Sequence, residues 1–147
     1  HAFRFRTGNN DCYFDLDKLT RSQSCVTAAC MLTRRSVFDQ VGGFDEVNFR
    51  IAFNDDDFCL KVRESGYNVI YDASAELFHH ESVSRGICTD PKKETVEKGE
   101  SRSFARKWGH LFDRDPFYNP NLSLQDDYEL AFPPRVARPW DATCESR

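Results

Sequence analysis

Apolar residues fall in short runs divided by polar and glycine-bearing breaks, and their spacing predicts a mixed α/β chain. Residues 1–24 are polar and aromatic without a clear period, with Thr7-Gly8-Asn9-Asn10-Asp11 as a loop or turn. Cys25 to Leu32 is a continuous small-and-apolar run, the pattern of a buried strand or a tightly packed segment. Ser36 then reads as an N-cap, with Asp39 as a weaker form of the capping box. Val37, Phe38 and Val41 share one face of this short helix, and Gly42 supplies its stop. The next helix opens on Asp55-Asp56-Asp57, where the macrodipole favours negative charge. Phe58, Cys59, Leu60 and Val62 form its buried face, and Gly66 ends it.

Tyr67 to Tyr71 reads as a strand, Asp72-Ala73-Ser74 as a turn, and Ala75 to His79 as a further strand with Leu77 and His79 facing alike. A third helix starts near Asp90-Pro91, a cap followed by an N1 proline, and runs toward Leu111. Its apolar stripe is Phe104, Trp108, Leu111 and Phe112, and Gly99 weakens its middle. From Asp113 the pattern is irregular, and the prolines of the last stretch predict an extended or disordered tail. The expected organisation is an irregular segment over 1–24, a folded body over 25–124 and a tail over 125–147.

Composition narrows the class. At 147 residues and 17.1 kDa the chain is one domain by length, and its 13 phenylalanines predict an aromatic core. The net charge of −4, with acidic residues interrupting every basic cluster, argues against nucleic-acid binding. No apolar run approaches the roughly 18 residues that suggest a membrane span. The six cysteines include no CxxC pair, so they read as reduced thiols in or near the core rather than as disulfides or a zinc site. His1 is not an initiator methionine, and the expectation is an excised segment of a longer protein.

Two clusters carry candidate chemistry. Three consecutive carboxylates repel, while capping a helix needs only one, for a gain of about 1 kcal/mol. The plain reading is a charged helix start; the functional one is a base or ligand set. Asp55-x-Asp57 could chelate a divalent ion, or one aspartate could act as base while His79 helps hold a metal. In a strand His79 and His80 point to opposite faces, so at most one of them enters a given pocket. Arg85 has the bidentate fork that suits a phosphate, although a solvated surface arginine is the commoner outcome.

Several motifs occur in a telling order: VTAACMLTRRSVFDQVGGFDE, then FNDDDFCLKVRESGYNVIYDASAELFHHESVSRG, then FARKWGHLFDRDPFYNPNLSL. From about Cys25 to Leu124 the chain resembles the C-terminal half of a GT-A-type family 2 glycosyltransferase, closest to bacterial surface-polysaccharide and rhamnosyltransferase-like members. The resemblance implies the C-terminal portion of a GT-A fold, a small mixed sheet packed by helices. It implies that Asp55 is the catalytic base, with Asn54 where the family has glutamate, and that Asp57 supports it. His79 takes the position of a metal ligand, with His80 as the alternative. Arg85 lies in the loop over the donor diphosphate, and Gly42, Gly43, Phe44 and Asp45 shape the acceptor side.

The family's N-terminal nucleotide-binding half, which ends in a DxD-type metal motif, has no counterpart before Cys25. Asp15-Leu16-Asp17 spells D-x-D but lacks the preceding parallel-strand pattern. The expectation is therefore the base- and acceptor-bearing part of an inverting enzyme dependent on Mg²⁺ or Mn²⁺. Its substrates are a nucleotide-sugar donor and a saccharide acceptor, and its activity requires the upstream half. The same resemblance implies a cytoplasmic location, with the inner face of the membrane as a further option. The alternative is a carbohydrate- or partner-binding module that catalyses nothing.

Overall fold

The computed structural model describes residues 13–78, 91–112, 114–125 and 128–135, with side chains from residue 94 onward in the third helix. Two compact units emerge, Lys18–His110 and a second one formed by His1–Asp17 with Leu111–Arg147. Mixed helix and a small two-stranded sheet make up the first unit, an arrangement compatible with α/β.

Its elements are β1 (Arg21–Gln23), α1 (Arg35–Gln40), α2 (Asn54–Glu64), β2 (Val69–Tyr71) and α3 (Pro91–Trp108). β1 and β2 pair antiparallel, with Ser22 opposite Ile70. The turn after β2 is tied back by Asp72, whose Oδ1 accepts from the Ser74 N–H at 3.0 Å and the Thr20 hydroxyl at 3.2 Å. Val37 of α1, Phe58, Cys59 and Val62 of α2, and Val69 of β2 form the buried core, with Phe38, Val41 and Phe44 packed against it. Phe38, Phe44 and Phe58 meet as a triangle of rings 5.2 to 5.6 Å apart.

The expected helices form, but three local expectations do not hold. Cys25 to Leu32 is no buried strand: Ala28–Cys30 is a single 3-10 turn, opened by the Thr27 hydroxyl accepting from the Ala29 N–H. Leu32 is 99% exposed, while Cys25, Val26 and Met31 pack against the core, so the run is partly packed without being a strand. Ser36 does not cap α1; it lies inside the helix, whose first turn is stabilised instead by Arg35 pairing with Asp39 at 2.9 Å. Ala75 to Phe78 is not a strand either, and it has no partner strand among the described residues to receive its ladder bonds. Asp15 and Asp17 lie in a 3-10 segment, Tyr13–Lys18, in which Phe14 and Asp15 take left-handed backbone.

In the second unit, Leu122 is buried and bridges Leu130, and the Tyr13 and Tyr118 rings both pack on Tyr128. Of the tail expected over 125–147, residues 126–127 and 136–147 lie outside the described residues, as do His79, His80 and Arg85.

Gly42 and Gly43 both have positive φ, but only Gly43 is enclosed: a Cβ there would meet the Phe38 ring at 2.8 Å. Alanine at Gly42 should cost only the backbone penalty, about 1–2 kcal/mol. Alanine at Gly43 should add an overpacking cost of about 1–3 kcal/mol. Urea denaturation of the two variants is expected to show Gly43→Ala as clearly the less stable.

Candidate functional site

The N-terminal turn of α2 places its three carboxylates in three environments. Helical geometry turns successive side chains by about 100°, so neighbours cannot share a setting. Asp55 is half-buried and tethered on both oxygens: Oδ2 accepts from the Ala28 N–H at 3.1 Å and Oδ1 from the Asp56 N–H at 3.1 Å. Asn54 Oδ1 accepts from the Asp55 N–H at 2.8 Å, so the helix start is closed by its own side chains. Burial pushes the Asp56 carboxyl above its ordinary value, and the neighbouring Asp55 charge adds to the rise.

Asp57 has no exposed side-chain surface. Its Oδ1 accepts from Trp108 Nε1–H at 2.8 Å and from Lys107 Nζ at 2.6 Å, both on α3. Its Oδ2 lies 3.2 Å from Lys61 Nζ, which also donates to the Gly43 carbonyl at 2.6 Å. A carboxylate engaged in this way is not available to chelate, so the Asp55-x-Asp57 metal reading does not fit the geometry. Among the described residues, no group of three or more His, Cys, Asp and Glu could hold a metal ion.

Thiols pack beneath the same turn. Cys59 Sγ accepts from the Val26 N–H at 3.5 Å, and Cys25 Sγ lies 3.7 Å from the Asp56 carbonyl. The neighbouring Cys59 sulfur, burial and the Asp56 charge push the Cys25 thiol above its ordinary value. These contacts fix the segment that carries Ala28, and with it the tether on Asp55.

An open groove of about 480 Å³ adjoins this helix start, lined by Phe44, Glu46, Phe49, Arg50 and Asn54. Asp45, between Phe44 and Glu46 in sequence, accepts from the N–H groups of Val47 at 3.1 Å and Asn48 at 2.9 Å and from the Asn48 amide at 2.8 Å. The side-chain bond from Asn48 is the main reason its carboxyl sits below its ordinary value. The half-buried Phe44 ring beside the charged and amide groups of Glu46, Arg50 and Asn54 gives a mixed apolar and polar lining, with Phe49 buried behind it. Of the residues expected at the site, Phe44 and Asn54 line one groove and Asp55 follows Asn54, Gly43 is tied to Lys61, Asp45 bonds within its own loop, and Asp57 lies inside the protein.

Sequence reasoning missed Lys61, Lys107 and Glu100, and took Trp108 only as core. Glu100 is 5% exposed and accepts the backbone N–H groups of Arg50, Ile51 and Ala52. A signal was present: Glu100, Phe104 and Trp108 are spaced four apart, which puts a carboxylate on the apolar stripe of α3.

The chain is 42% identical to the protein y4gI of Sinorhizobium fredii over 134 residues, 90% of this chain and 15% of that protein. It is 38% identical to the O-antigen biosynthesis protein RfbC of Myxococcus xanthus over 106 residues, 71% of this chain and 8% of RfbC. It is also 38% identical over 71 residues to the N-acetylglucosaminyl-diphospho-decaprenol L-rhamnosyltransferase of Mycobacterium tuberculosis, covering 48% of this chain and 23% of that enzyme. The chain thus spans less than a quarter of the length of each of these relatives. No protein-family model matches it. No solved structure matches it significantly.

Removing a partner from a buried charge cluster costs about 3–5 kcal/mol. Asp57→Ala should therefore destabilise by that amount in denaturant titrations, and Trp108→Phe, which loses one bond to a charged group, by about 1.5–3 kcal/mol. Asp56 has the opposite sign. Its folded carboxyl holds its proton more tightly than the unfolded one, so stability is greatest below the unfolded value and falls as pH rises through the folded one. Asp56→Asn should raise the melting temperature at pH 7 and leave it unchanged near pH 3, measured by thermal scans at both.

Proposed function

We propose that this chain is the catalytic-base and acceptor-binding part of an inverting glycosyltransferase with a GT-A fold. It would move a sugar from a nucleotide-sugar donor to a saccharide acceptor, in concert with an upstream nucleotide-binding half. The carrying observation is Asp55: a half-buried carboxylate, tethered by two backbone N–H groups, next in sequence to a residue of an aromatic and charged groove. The similarity to RfbC and to the mycobacterial rhamnosyltransferase supports the same class. In this reading Asp55 takes the proton of an acceptor hydroxyl as its oxygen attacks the anomeric carbon. The bond from that carbon to the diphosphate oxygen breaks, and the nucleoside diphosphate leaves with the electron pair.

Phe44 and Asn54 line the acceptor groove, Gly43 and Asp45 shape the turn that carries Phe44, and Asp57 holds the helix from inside. Dependence on Mg²⁺ or Mn²⁺, with His79 as ligand, and binding of the donor diphosphate by Arg85 belong to the same proposal and fall on residues outside those described. A cytoplasmic location, with the inner face of the membrane as a further option, completes it. No helix among the described residues is long and apolar enough to cross a membrane.

The test is release of nucleoside diphosphate by the complete protein across a panel of nucleotide sugars and acceptors, with Mn²⁺ and with chelator. Asp55→Asn is expected to lower the rate about 10²- to 10⁴-fold while the fold persists. Retained activity would move the base elsewhere. No release with any donor would favour a carbohydrate-binding module.

A further inference from the structure

Asp55 is positioned by what precedes it, and that turn is held by a residue 45 positions away in sequence. The Glu100 side chain of α3 is 5% exposed. Oε1 accepts from the Arg50 N–H at 2.8 Å and the Ile51 N–H at 3.1 Å, and Oε2 accepts from the Ala52 N–H at 2.7 Å. Three successive amides converging on one anion make a rigid turn, because each bond constrains the peptide plane next to it.

The next residue, Phe53, takes left-handed backbone at φ 63° and ψ 4°, a conformation a phenylalanine keeps only where its surroundings impose it. Its ring stacks on Phe104 at 4.9 Å, one helical turn along from Glu100. One face of α3 thus grips both the amides and the ring, and α2 begins at the following residue. The helix itself remains attached to α3 without this grip, through Asp57, Lys107 and Trp108. Loss of the Glu100 contacts therefore loosens the turn more than it detaches the helix.

We infer that Glu100 is a positioning residue for Asp55, setting where α2 starts and so where the base stands beside the acceptor groove. This rests on the reading of Asp55 given above. Simple stabilisation by a buried carboxylate would leave the chemistry of folded molecules untouched; positioning would not.

The experiment is steady-state kinetics of the complete protein and its Glu100→Gln variant, together with melting temperatures and the variant combined with Asp55→Asn. Glutamine keeps the size but turns an NH₂ toward amides that need an acceptor. Glu100→Gln should lower kcat per folded molecule about 10- to 100-fold with the donor KM unchanged, since small misplacement of a reacting group has effects of that size. It should add nothing to the loss already caused by Asp55→Asn, because both act on one group. If kcat per folded molecule is unchanged while Asp55→Asn is inactive, Glu100 only stabilises, and the base assignment survives. If Asp55→Asn retains activity, or the wild type transfers nothing, the base assignment fails and this inference with it. Should Glu100→Gln not fold, Phe104→Leu removes the ring stacked on Phe53 and is expected to give the same loss of kcat; an unchanged value there overturns the proposal.

Discussion

The rest of the first unit depends on a carboxylate with no exposed surface. Asp57 is tolerable in the interior only because an indole N–H and two ammonium groups surround it; an unpaired ion there would carry a desolvation cost of several kcal/mol. This requirement fixes the rotation of α2, since Asp57 must face α3. It fixes the end of α3 as well, because Trp108 and Lys107 must reach the same oxygen. Lys61 extends the network by one more bond to the Gly43 carbonyl, so the turn that leads into the groove is tied to the same centre.

Once α2 is oriented in this way, the remaining carboxylates have little freedom. Asp55 meets the Ala28 N–H, and Asp56 lies over the Cys25 and Cys59 thiols. The start of the helix is thereby supported on three sides: by the 3-10 turn before α1, by the Gly43 turn and by α3. A reactive group needs this kind of support, because catalysis and binding tolerate little displacement. The polar contacts are made by main-chain amides as much as by side chains, which keeps them rigid at small entropic cost.

Much of this architecture was legible in the order of residues. The acidic start of α2, its Phe58–Val62 face and the Gly66 stop are local signals, and local signals decide helices. Pro91 opened α3 as expected. Cys25 to Leu32, read as a buried strand or a tightly packed segment, and Ala75 to Phe78 form no strand for a shared reason: a strand exists only with a partner, and neither run has one among the described residues. The Ser36 cap failed because the helix starts two residues earlier than that cap implies, at Arg35 with Arg34 as N-cap, where Arg35 can reach Asp39. The grouping of Gly43, Phe44, Asp45, Asn54 and Asp55 came from resemblance; of these, Phe44 and Asn54 line one groove, and Asp55 follows Asn54 in α2.

What the sequence determined by itself was the set of helices and the turn glycines, since each follows from spacing or backbone freedom; Asp55 was singled out by the resemblance. It did not determine which of three adjacent aspartates would be tethered, which half-buried and which sealed inside. That depends on what lies opposite each one, and the partners come from residues 28, 61, 107 and 108, far from the triplet or a helical turn away. Glu100 makes the same point: on the page it is a charge misplaced on an apolar stripe, and only folding supplies the three amides that make its burial favourable.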